Sequence, residues 1–135
     1  MDVVDIYCGA GGFACGAMQA GCRIEMGIDW DEKCVAAYRT NTTCTEVLCK
    51  ELWKDDVTWP KPRTNLHVHI SPPCVNLSRA NVKASTEARE QGLNGFIEAV
   101  QFVLKHQYTS WSVENVDVPE TRECAALLRD AHRND

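Results

Sequence analysis

No apolar run in this sequence reaches the roughly 20 consecutive residues needed to cross a bilayer. The start, Met1-Asp2-Val3-Val4-Asp5, has neither the basic opening nor the long apolar region of a signal peptide. A soluble, intracellular protein with no membrane contact is therefore expected, cytoplasmic and nuclear compartments being equally compatible. Positive charge is scarce, with 14 Lys and Arg against 19 Asp and Glu and a formal net charge of -5. That balance argues against a chain that wraps nucleic acid by general electrostatics, but allows a nucleic-acid enzyme with a local basic site. Cysteine is plentiful at eight residues, yet none stands in a Cys-x-x-Cys pair, so no metal site is expected. Without a secretory signal the thiols should be reduced, most of them packed as small apolar residues. Internal repeats and low-complexity linkers are also missing, and 135 residues fit one domain spanning 1–135.

What is present alternates strand and helix. Asp2 to Tyr7 and Arg23 to Ile28 read as buried strands, Glu46 to Cys49 as a short third, and Leu66 to Ile70 as a fourth. Ser110 to Val116 reads as a fifth strand, containing Glu114. Helices are expected over Ala14 to Ala20, after an Asp31 cap, over Gly95 to Gln107, and from Pro119 to about His132. Between Ser71 and Asn94 there is no periodicity, which suggests a lid or binding loop. The alternation predicts an α/β fold, a mostly parallel sheet with helices on both faces.

Two places carry chemistry. Gly9-x-Gly11-x-x-Ala14 follows the first strand and fits a dinucleotide-type glycine loop, and Asp29 lies about 20 residues on, at the end of the next strand. An acid there accepts hydrogen bonds from ribose hydroxyls, and the neighbouring Trp30 can stack on adenine. These residues predict an adenosine-containing cofactor, with NAD, FAD and S-adenosylmethionine all open. Plain turn chemistry for the glycines is the alternative. The second place is Ser71-Pro72-Pro73-Cys74. Two prolines stop a strand, because neither donates a backbone hydrogen bond, and hold a thiol on a stiff turn. A lone cysteine is more often a small buried residue than a nucleophile. Glu114, read as a carboxylate in an apolar strand, is costly unless paired or functional. In a parallel sheet both residues belong to the edge where strand ends converge.

In order and spacing, Asp5-Ile6-Tyr7-Cys8-Gly9-Ala10-Gly11-Gly12-Phe13, Asp29-Trp30, Pro72-Pro73-Cys74 with Ser78, and Glu114-Asn115-Val116 resemble the N-terminal part of the DNA (cytosine-5) methyltransferases. The resemblance covers nearly the whole chain. It implies a Rossmann-like S-adenosylmethionine-dependent methyltransferase fold and duplex DNA with a flipped cytosine as substrate. It makes Cys74 the nucleophile toward cytosine carbon 6, sets Glu114 against ring nitrogen 3 and the exocyclic amine, and has Asn115 position the loop carrying Cys74. For the cofactor it implies Tyr7, Gly9, Gly11, Gly12 and Phe13, with Asp29 on the ribose and Trp30 against adenine. Pro73, Ser78 and Arg79 would meet the substrate, although bland solvation suits Arg79 and Lys83 equally well.

The sequence departs from that family in three ways. The Asp-apolar pair that the family carries after its third strand has no evident counterpart in Val47-Leu48-Cys49-Lys50-Glu51-Leu52. Val75 stands where the family has Gln. The chain stops at Asp135, before the family's arginine-bearing strand, target-recognition region and returning cofactor helix. The expectation is thus a truncated fold, part of a longer or split enzyme with a complementing C-terminal subunit. A non-catalytic remnant or regulatory partner, an RNA (tRNA) cytosine-5 methyltransferase relative and a nicotinamide-dependent oxidoreductase remain the alternatives.

Overall fold

The computed structural model describes residues 1–74, 83 and 85–133. Five strands, β1 (Asp2–Ile6), β2 (Arg23–Asp29), β3 (Glu46–Cys49), β4 (Leu66–Ile70) and β5 (Trp111–Val113), form one parallel sheet in the order β3-β2-β1-β4-β5. Four helices accompany them: α1 (Gly12–Gln19), α2 (Glu32–Asn41), α3 (Thr86–Lys105) and α4 (Pro119–Arg133). Strand order reverses between β1 and β4, which opens a crevice beyond their carboxyl ends.

The pleat sorts each strand onto two faces. Val4, Ile6, Val68 and Ile70 pack with Ala99, Phe102 and Val103 of α3. Val3 and Ile24 pack on the other face with Ala14 of α1 and Tyr38 of α2. Helices thus cover both faces, as the alternation predicted. On this second face Gly27 leaves room for Tyr38, since a Cβ there would lie 2.4 Å from the ring.

Tyr38 donates its hydroxyl to Asp5 Oδ2 at 3.2 Å, and Asp5 itself is 1% exposed. Burial pushes the Asp5 carboxyl up to about 7 from the ordinary 3.8, against the pull of the Tyr38 bond and with a small addition from Asp29. The folded chain therefore holds this proton where the unfolded chain has released it. Asp5 should lower stability progressively from pH near 4 to pH near 7, by a few kcal/mol at most (on the order of 4). Chemical unfolding at pH 5 and pH 8 checks this, and Asp5→Asn should flatten the difference.

Three expectations are corrected. Helix α3 begins at Thr86, not at Gly95, because Ser85 caps it by accepting the Ala88 N–H at 3.1 Å. The first turns of α3 are polar and mostly exposed, so no apolar period marks them. β5 ends at Val113, three residues short of Val116, because its only strand partner among the described residues, β4, turns away into Pro72-Pro73. The cysteines are all free, yet only Cys8 is buried. Cys49 is exposed and Cys15, Cys22, Cys34, Cys44, Cys74 and Cys124 are half-buried. Cys22 and Cys44 pack against the rim of the core cluster that holds Cys8 and Tyr38.

Candidate cofactor cleft and reactive turn

The loop after β1 is built by left-handed backbone at Tyr7 (φ 58°), Gly9 (φ 53°) and Gly11 (φ 98°). Around Gly9 there is open space, so only its φ demands glycine. Gly11 is needed twice over, since a Cβ would also meet Thr42 and Tyr38 at 3.1 and 3.2 Å. Gly11 precedes α1 without a side-chain cap, which leaves the first N–H groups of that helix, starting at Gly12, open to a ligand.

Asp29 fixes this loop. Its Oδ2 accepts the Gly9 N–H and its Oδ1 the Asp31 N–H, both at 3.0 Å. The carboxylate is 8% exposed. Asn41, at the end of α2, adds a bond from Nδ2 to the Ala10 carbonyl at 2.9 Å. Trp30, next to Asp29, is 63% exposed and Phe13 is 37% exposed, so neither aromatic ring belongs to the core.

Beside Asp29 a cavity of about 420 Å³ is lined by Tyr7, Trp30, Glu51 and Leu52. The Lys50 N–H bonds the Asp29 carbonyl at 2.9 Å, which swings Glu51-Leu52 across the cleft from Trp30. Glu51 and Leu52 were missed in the sequence. The signal was an acid followed by an apolar residue two positions beyond β3, obscured because the acid is Glu and not Asp. Open N–H groups at the start of α1, a carboxylate that anchors the loop and the Tyr7 and Trp30 rings beside the cavity suit a nucleoside cofactor.

The reactive turn leaves the crevice end of β4. The Ser71 N–H bonds the Ile6 carbonyl at 3.1 Å, and the Glu114 N–H bonds the Ile70 carbonyl at 2.9 Å. Pro72 is buried, Pro73 is exposed and Cys74 is half-buried. Glu114 is not a buried strand acid, as had been expected. It is exposed, one residue beyond β5, and needs no buried partner. Its N–H bond to the carbonyl of Ile70, the last residue of β4, sets it at the crevice end of the sheet. Asn115 Oδ1 accepts the Val116 N–H at 2.8 Å, while its enclosed Nδ2 has no partner among the described residues. Ser78, Arg79 and Val75 lie outside the described residues, and Lys83 is an exposed turn residue. Among the described residues no group of three or more metal-ligating side chains occurs, and no helix is long and apolar enough to cross a membrane.

A parallel sheet that reverses its winding beside a glycine loop defines a Rossmann-like cofactor-binding domain. Known structures share this fold. A DNA modification methyltransferase encoded within an E. coli prophage shares the fold at TM-score 0.57 and 19% identity, over 86% of this chain and 32% of its own. The plantazolicin methyltransferase BpumL, in complex with a pentazolic desmethylPZN analog and SAH, matches at TM-score 0.54 and 17% identity, over 87% of this chain and 39% of its own. The chain belongs to the C-5 cytosine-specific DNA methylase family, which it matches over residues 1–122. The methyl donor of that family is S-adenosylmethionine. A search of curated protein sequences finds no match. The chain spans about a third of the length of the solved structures it matches first, 32% and 39%.

Proposed function

We propose that this chain carries the cofactor and nucleophile half of an enzyme that methylates carbon 5 of cytosine in DNA, within a longer or split protein. The observation that carries this reading is the pair of backbone bonds Ser71 N–H to Ile6 and Glu114 N–H to Ile70, at 3.1 and 2.9 Å. They gather the glycine loop, the Pro-Pro-Cys turn and the acid at one sheet edge.

Carbon 5 of cytosine is a weak nucleophile. Addition of the Cys74 thiolate to carbon 6 breaks the 5,6 double bond and moves its electron pair toward carbon 5. In its protonated form Glu114 would donate to ring nitrogen 3 and accept from the exocyclic amine, so that its proton offsets the negative charge that builds on the ring. S-adenosylmethionine, when bound, would supply an electrophilic methyl group to carbon 5, the sulfur–methyl bond breaking to leave the neutral thioether S-adenosylhomocysteine. Loss of the carbon 5 proton to water then re-forms the double bond and expels the Cys74 thiolate. Asp29 holds the glycine loop open for the cofactor and keeps lone pairs for ribose hydroxyls, while Trp30, Glu51 and Leu52 bound the adenine slot. The buried Asn115 amide, with no partner among the described residues, supports its role in positioning the Cys74 loop. Ser78, Arg79 and Pro73 are proposed to meet the DNA. With a net charge of -5, much of the backbone grip must come from a complementing segment or subunit.

Calorimetry tests the cofactor half. S-adenosylmethionine should bind the folded chain and NAD should not; binding of NAD alone, or of neither, would sink the reading. Methyl transfer assays should favour duplex DNA over tRNA, and the opposite preference would move the chain to RNA methylation.

A further inference from the structure

Under Phe13, on the sheet face that carries α1, five polar side chains join in one unbroken line. Ser110 Oγ lies 2.7 Å from His67 Nδ1, and His67 Nε2 lies 2.9 Å from Ser112 Oγ. Ser112 Oγ lies 2.8 Å from His69 Nδ1, and His69 Nε2 lies 2.8 Å from Ser71 Oγ. A neutral imidazole donates at one nitrogen and accepts at the other, and a hydroxyl has one proton to give. With both rings neutral the line has two consistent senses, all bonds donated toward Ser71 or all toward Ser110. Two charged rings would both donate to Ser112 and strand its hydroxyl proton. Burial holds the His69 imidazole below its ordinary range, with Glu114 opposing and His67 assisting, and burial acts on His67 in the same direction.

The His69 ring, 6% exposed, also stacks on Phe13 with centroids 3.6 Å apart and planes within 11°. Phe13 stands at the glycine-loop end of α1, and Ser71 opens the turn to Cys74. One ring therefore touches both halves of the site. At that separation Phe13 cannot shift without shifting His69, and the bond at Nε2 passes the movement to Ser71.

The geometry points to His69 as a positioning residue, a neutral imidazole that couples the Phe13 ring on the cofactor side to Ser71 and so to the Cys74 turn. Contact between Phe13 and cofactor rests on the function proposed above, whereas the coupling is a property of the chain itself.

Nuclear magnetic resonance of the free chain reads it directly. Phe13→Leu should shift the His69 ring nitrogens and the Ser71 amide together. His69→Phe keeps a ring against Phe13 but removes both nitrogen bonds, and on that background Phe13→Leu should no longer move the Ser71 amide. If His69→Phe fails to fold, His69→Asn, too short to reach both serines, serves for the same comparison. Added S-adenosylhomocysteine should move the Ser71 amide in the unaltered chain and not in the His69 variant. A Ser71 response that survives loss of His69, or a His69 ring indifferent to Phe13→Leu, overturns the proposal. A chain that takes up no S-adenosylhomocysteine fails the cofactor reading instead, and the Phe13→Leu comparison still decides the coupling.

Discussion

Cys74→Ala is expected to lower methyl transfer by about 10⁴-fold or more while cofactor affinity stays within about twofold. The size follows from the chemistry. Without a thiolate on carbon 6, carbon 5 keeps its place in the aromatic ring and has no electron pair to offer. The neighbouring Pro72 and Pro73 carry no nucleophile to replace it. Stability should hardly change, because Cys74 is half-buried and truncation removes one sulfur from a turn already fixed by Pro72 and by the Ser71 N–H bond. Cys74→Ser should also be inactive, as a hydroxyl ionises far less readily than a thiol near neutral pH. Trapping on duplex DNA containing 5-fluorocytosine checks the mechanism, because fluorine at carbon 5 blocks the elimination that frees the enzyme. The unaltered protein, in its active assembly, should form a denaturation-resistant adduct, and both variants should form none. An adduct in Cys74→Ala would assign the nucleophile elsewhere.

Asp29→Asn should lower cofactor affinity by about 10²-fold, although it looks conservative. Both carboxylate oxygens accept backbone N–H groups, from Gly9 and from Asp31 at 3.0 Å each. An amide has one acceptor oxygen. Whichever way it turns, its NH₂ faces a donor, and one N–H of the Gly9 loop or the Asp31 turn is left unpaired. A hydrogen bond to a charged group is worth about 1.5–3 kcal/mol, so the chain should also lose roughly that much stability. Calorimetry with S-adenosylhomocysteine and thermal unfolding measure the two effects separately. Asp29→Ala should do at least as much harm. If Asp29→Asn binds cofactor normally, the acid serves only as a turn anchor that the fold can spare.

The order of strands and helices was legible because apolar runs and capping residues act locally. Val3-Val4 and Ile6, Arg23 to Ile28 and Leu66 to Ile70 announce buried parallel strands, and Asp31 caps α2 as its type predicts, accepting from the N–H groups of Lys33 and Cys34. The spacing of Gly9, Gly11, Asp29 and Cys74 likewise put these four at strand ends, whereas Glu114 was read inside a fifth strand that in fact stops at Val113.

Partners across the sheet could not be read this way. That Asp29 spends both oxygens on backbone, that Glu51-Leu52 faces Trp30, that Glu114 is exposed, and that His69 links Phe13 to Ser71 all depend on which strand lies beside which and in what register. His69 meets Ser112 because β4 and β5 pair His69 with Ser112, across 43 residues of chain. Residue type and local spacing determined the elements and the chemistry available at their ends. Only tertiary structure decided which side chains share a hydrogen bond, because that requires bringing distant strands into a single parallel register.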